Sequence, residues 1–128
     1  MPTEQQVATV VLDLVNTALS EPAEAFAPDE VPSPRPAEHV IVTVVRRAGG
    51  TARSGRYVTS GWSLYLMAVS QVSVANARNS LAAAGAALES AVIAVGGVTS
   101  TPIRFDSARA VAPDDSWFSG VNVYNFAL

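Results

Sequence analysis

Between Tyr57 and Val95 the spacing of apolar residues changes period, and that change constrains the fold more than any other feature of the chain. From Tyr57 to Val69 the pattern is near-alternating. Val58, Trp62, Leu64 and Leu66 share one parity, while Thr59, Ser63, Tyr65 and Met67 share the other, which predicts a strand. Gly61 inside it suggests a bulge or a close backbone approach. From about Val72 to Val95 the period lengthens to helical. Val74, Ala77, Leu81, Ala84, Leu88, Ala91 and Val95 form one stripe, and Asn76, Asn79, Ser80 and Ser90 lie opposite. Ser70 or Ser73 is placed to cap the start of this helix, and Gly96-Gly97 to accept the positive φ after its end. Most stripe residues are small, so a sheet is expected to lie close against them. Gly85 would cost about 1 kcal/mol in an exposed helix; a tight contact is the expected reason for it.

The flanking segments fill in an α-β-β-α-β-β order. Thr3 to Leu19 predicts a helix, with Val7, Val10, Val11, Leu14, Val15, Ala18 and Leu19 on one face. Thr3 and Gln6 have capping-box spacing. Valine is a poor intrinsic helix former, so packing must hold this helix. Residues 20–37 read as a Pro-rich loop, with Pro22, Pro28, Pro32, Pro34 and Pro36 and the acids Glu21, Glu24, Asp29 and Glu30. Glu38 to Arg47 predicts a strand that is apolar on both faces from Val40 to Val45, as expected where both faces are at least partly covered. Residues 46–56, with Arg46, Arg47, Arg53 and Arg56, predict a basic hairpin tip. Thr99 to Val111 and Trp117 to Leu128 predict two more strands, joined by a turn at Ala112-Pro113-Asp114-Asp115-Ser116. The expected class is α+β: one domain spanning 1–128, with a mainly antiparallel four-stranded sheet and two helices packed on one face.

The residue inventory narrows the chemistry. The chain has 128 residues, no cysteine, a single histidine (His39) and a net charge of -3. Thiol and disulfide chemistry are excluded, and one histidine without cysteine argues against a transition-metal site. No phosphate loop, G-x-S-x-G or H-E-x-x-H occurs, and Asp114-Asp115 reads as a solvated turn. Nothing groups an acid or a serine with His39. The expectation is a binding or structural protein, not an enzyme, with no cofactor and no metal. No apolar run reaches the roughly 20 residues of a membrane span, and the N-terminus lacks a basic leader, so no membrane partner is expected.

The stretch RYVTSGWSLYLMAVSQVSVANARNSLAAAGAAL, followed by IRFDSARAVAPDDSWFSGVNVYNFAL, resembles the tail terminator proteins of long non-contractile-tailed bacteriophages. A short acidic chain, an N-terminal amphipathic helix and the α-β-β-α-β-β order are shared features; the Pro-rich segment has no counterpart. The resemblance implies a structural virion subunit of the tail or neck, assembled in host cytoplasm. It implies a homo-oligomer, a hexameric ring capping the head-proximal end of the tail tube, with the tail tube protein and a head-completion or stopper protein as partners. Genomic DNA would pass through the ring lumen.

A ring needs different patches that meet around a closed rotation. The basic residues Arg46, Arg47, Arg53 and Arg56 are the expected subunit interface, facing the acidic Pro-rich loop of a neighbour, with Phe26 and Val31 as apolar anchors. The same arginines facing the lumen is the second reading. Two other functions remain compatible with the sequence: another neck or head-tail joining protein of the same virion, and a small α+β ligand-binding or regulatory domain.

Overall fold

A computed structural model describes residues 2–48 and 61–128. Its elements are helix α1 (Glu4–Ala18), strands β1 (Glu24–Phe26), β2 (Glu38–Ala48) and β3 (Gly61–Ser70), helix α2 (Val74–Leu88), strands β4 (Ala94–Val95) and β5 (Val98–Thr99), and the long strands β6 (Arg104–Asp114) and β7 (Trp117–Ala127). The class is α+β, but the sheet is not the expected four-stranded antiparallel one. It has five strands in the order β1-β2-β3-β7-β6, and β4 and β5 form a separate two-stranded sheet. The additional strand lies inside the Pro-rich segment, where β1 pairs with β2 in parallel through Glu24↔His39, Ala25↔Val40 and Phe26↔Ile41. Its anchor is remote in sequence. The Asn16 side chain on α1 accepts from the Ala25 N–H at 2.8 Å and donates to the Ala25 carbonyl at 3.2 Å, standing in for a neighbouring strand.

The helices begin where the sequence places them. Thr3 and Gln6 form the reciprocal capping box of α1, and Val7, Val11 and Val15 are its fully buried positions. Ser73 caps α2 by accepting from the Asn76 N–H at 3.1 Å, and Ala77, Leu81, Ala84 and Leu88 are its buried stripe. The end of α2 is a second correction: the helix stops at Leu88, not near Val95. Ala91 and Val95 continue the spacing of the stripe but lie beyond the helix, with Val95 in β4. Gly96 (φ +57°) and Gly97 (φ +80°) serve the β4–β5 turn instead of a helix end.

Both helices pack on one face of the sheet. Register places Val40, Val42 and Val44 of β2 beside Ala68, Leu66 and Leu64 of β3, and Tyr124 and Phe126 of β7 beside Leu64 and Trp62. All of these are buried, and with the valines of α1 and the stripe of α2 they form the core. The small stripe does admit close approach. A Cβ added at Gly85 would stand 2.6 Å from the Tyr124 hydroxyl. On the sheet, a Cβ at Gly120 would stand 2.7 Å from the Val111 side chain and 3.0 Å from its backbone nitrogen.

A buried polar knot ties three elements at one end of the sheet. The Ser70 hydroxyl donates to Glu38 Oε1 at 2.7 Å and accepts from the Val72 and Ser73 N–H groups at 3.0 and 3.2 Å. Asn76 Nδ2 donates to the same Glu38 oxygen at 2.9 Å. The knot joins the start of β2, the end of β3 and the first turn of α2, which sets where the helix leaves the sheet.

Candidate assembly surfaces

The second face of the sheet carries neither helix. Cover on this face is partial: Ile41 and Thr43 of β2 are half-buried, while Val45 is 40% exposed and Tyr65 on β3 is 42% exposed. Cross-strand register builds one row on this face from Phe26, Ile41, Met67 and Val121, ending at Arg109. The next row runs Thr43, Tyr65, Val123 and Ser107. Phe26, expected as an anchor in a loop, is thus a half-buried member of an apolar band across the helix-free face. Val31 is also half-buried, in the segment between β1 and β2.

The expected arginine cluster divides. Arg46 turns toward the helix side of the sheet. Its guanidinium lies over the Trp62 ring at 5.0 Å and donates to the Pro2 carbonyl, so it fastens the N-terminal segment to the sheet. Arg47, the next residue on β2, is exposed. Arg53 and Arg56, like the first part of the strand expected from Tyr57, lie outside the described residues.

A second basic residue stacks where the sequence offers no signal. The Arg35 guanidinium lies 4.3 Å from the Trp117 ring centroid, and Trp117 meets His39 edge-on at 5.8 Å. His39 is 1% exposed, with Nδ1 2.9 Å from the Pro36 carbonyl and Nε2 without a partner among the described residues. Burial pushes its pKa below the ordinary 6.5, the Pro36 bond works against that, and the Arg35 charge adds to it. A neutral ring donating Nδ1–H to Pro36 fits these contacts. The histidine is a packing element that closes the start of β2 against β7. Asp114 accepts from the Ser119 hydroxyl at 3.1 Å, and Asp115 occupies the β6–β7 turn at φ +56°. Among the described residues no group of three or more His, Asp or Glu side chains is placed to hold a metal ion. No described helix is long and apolar enough to cross a membrane.

The two edges of the sheet differ in charge and in cover. From residue 2 to residue 34 the chain holds six carboxylates (Glu4, Asp13, Glu21, Glu24, Asp29 and Glu30) and no basic residue; every arginine follows from Arg35 on. This acidic segment builds α1 and the β1 edge. There, α1 and Ala27–Asp29 flank a cleft of about 220 Å³ floored by Val42, Thr43 and Val44. The β6 edge, opposite, carries Arg104 and Arg109, and Phe105 is 51% exposed against the edge of Tyr124. Phe105 was legible as a strand residue alternating with Arg104 and Asp106; its exposure follows from β6 being an edge, which one strand's pattern does not reveal.

Comparison with known proteins gives a fold and no family. No family model and no curated protein matches this chain. Among solved structures, a chain from the virion of a native gene transfer agent particle aligns with a TM-score of 0.62 at 18% identity, covering 96% of this chain and 88% of its own. A second solved chain, whose description names no activity, aligns with a TM-score of 0.63 at 14% identity, covering 96% of this chain and 90% of its own. At these identities the likeness is one of fold.

Proposed function

We propose that this chain is a structural subunit of a phage-like virion, and that it forms the ring, a hexamer, that ends the tail tube on its head-proximal side. The observation that carries the proposal is the shared fold, over 96% of the chain, with a component of a gene transfer agent virion. The surfaces support it. An apolar face without a helix and two sheet edges of different character are what a subunit needs to meet its neighbours through unlike patches. In this role the chain catalyses nothing and carries no cofactor. Its partners are copies of itself, the tube subunit and a head-completion protein, and DNA passes through the ring.

The test is tube length. Purified tube subunits polymerise in the presence or absence of this protein, and electron microscopy measures the tubes and their ends. The proposal expects rings seated on one end and tubes that stop growing. Rings that bind a head-completion protein but leave tube growth unchanged would place the chain one ring further along the neck. Absence of any ring or tube binding would refute the virion role. Within this reading Arg47, Arg53 and Arg56 contribute to specificity more than to affinity, since exposed ion pairs are worth about 0–1 kcal/mol each. Changing Arg53 and Arg56 together to Glu is expected to prevent ring closure and lengthen tails. Normal rings and tails with impaired DNA delivery would instead assign these arginines to the lumen.

A further inference from the structure

We propose that the outer edge of β6 in one copy occupies the cleft between α1, Ala27–Asp29 and the open edge of β2 in the next copy, joining copies head to tail. The inference rests on the ring reading above and names the contact that closes the ring. The occupant is a second copy because the two surfaces are opposite edges of one sheet, and they are complementary.

β1 covers β2 only at His39, Val40 and Ile41, so the stretch from Val42 to Ala48 pairs with β3 on one side and with no described strand on the other. Among the described strands β6 pairs only with β7. Its outer edge is blocked at both ends. The Phe105 N–H, which points away from β7, is taken by Glu89 Oε2 at 2.9 Å, and Pro113 has no N–H to offer. Between them the edge from Asp106 to Ala112 is left open, the same number of residues as the open stretch of β2. Such edges are templates for another chain unless something covers them. Register shifts at Phe105/Ser107 and Arg109/Ala112 bulge the strand, so it suits one shaped receptor better than an arbitrary flat edge.

Side chains agree with this docking. Phe105 lies on the helix side of the sheet, paired with Tyr124, and its exposed half has no use within the monomer. In the cleft it would meet Ala8 of α1 and the floor of Val42 and Val44. Arg104, which within its own copy reaches Ser90 and Glu89, and Arg109, which reaches Ser119, give the β6 edge its positive charge, and the receiving segment carries Glu4, Asp13, Asp29 and Glu30. Asp106 is the one carboxylate in the open part of β6, and it sits at the first bulge. A contact between two different edges repeats in one direction, so it does not stop at a dimer, and in the ring reading the rotation between copies closes it.

The chain has no cysteine, which makes disulfide trapping clean. Gln5→Cys places a thiol at the cleft and Phe105→Cys places one on β6. Under copper–phenanthroline oxidation each single variant should stay uncrosslinked, an equimolar mixture should give a heterodimer, and the double variant should give a ladder up to the full ring. Phe105→Glu should lose ring mass in sedimentation velocity while keeping the circular-dichroism spectrum and cooperative unfolding of a folded subunit. Three results overturn the contact and leave the ring reading standing: rings of full mass with no ladder, rings unaffected by Phe105→Glu, or dimers trapped by a single variant. A chain that remains monomeric at every concentration, alone and with tube subunits, overturns the ring reading and this contact with it.

Discussion

Gly85→Ala sets two effects of opposite sign against each other, and the structure decides between them. In a helix interior the exchange gains about 1 kcal/mol of propensity. At Gly85 the new methyl would stand 2.6 Å from the Tyr124 hydroxyl. That hydroxyl cannot retreat easily, because Tyr124 is only 3% exposed and its ring is held edge-on by Phe105 at 5.8 Å. Overpacking of this kind costs about 1–3 kcal/mol. The net expectation is a loss of about 1 kcal/mol, a fall of roughly 3–4 °C in melting temperature for a domain of this size. Tyr124→Phe supplies the control. Without the hydroxyl, the nearest ring carbon is 3.9 Å from the added methyl, an ordinary contact. In that background Gly85→Ala should stabilise by about 1 kcal/mol. Urea unfolding of the four proteins measures the coupling, expected at about 2 kcal/mol. If Gly85→Ala stabilises the Tyr124 parent, or changes both backgrounds equally, the close contact between α2 and β7 is not what selects glycine.

Three further outcomes follow from the packing and the polar knot. Leu88→Ala truncates a fully buried residue on the last turn of α2 and should cost about 2–5 kcal/mol in urea unfolding; a loss well under 1 kcal/mol would remove Leu88 from the core. Ser70→Ala leaves Glu38 with one donor fewer and two N–H groups at the start of α2 without their acceptor, a cost of about 1–3 kcal/mol, and an unchanged denaturation midpoint would show that water replaces the hydroxyl. For His39 the folded pKa lies below 6.5, so as pH falls through 6.5 the unfolded chain takes up the proton first and stability drops until the folded pKa is passed. His39→Gln should therefore flatten the melting temperature between about pH 7 and pH 5; equal slopes for parent and variant would show that burial does not hold this ring neutral.

Much of the fold was legible because local signals and burial agree. The period and capping box of α1 each depend on residues within one turn of one another, and so does the start of α2. The misreadings occur where a local signal has two meanings. Gly96-Gly97 meets the backbone requirement of a helix end and of a hairpin turn, and Ala91 and Val95 happen to keep helical spacing, so the helical pattern runs on past the true end of α2 at Leu88. β1 was illegible because its three residues lie among prolines and are held by Asn16, a side chain on another element. The apolar run from Val40 to Val45 does not say how each side is covered: helices bury Val40, Val42 and Val44, while Ile41 and Thr43 are half-buried on the side without a helix. For the assembly surfaces, the sequence marked Phe26 and the arginines by type, while the direction each faces follows from tertiary register. Arg46 and Arg47 are neighbours in the chain, yet Arg46 stacks on Trp62 while Arg47, at a bulge in β2, is exposed.

The position of β3 has a dynamic consequence. All ten of its residues face β7 on one side and β2 on the other, and its inward side is sealed by the core. Exchange of its amide hydrogens with solvent requires the whole sheet to open, so β3 should report the global unfolding free energy. Beyond their side-chain anchors at Glu89 and Asn16, β6 pairs with one described strand and β1 with three residues of β2, so both can peel away at a fraction of that cost. The resistance of the subunit to unfolding is thus concentrated along its central axis, and its borders are left soft enough to adjust when something docks against them.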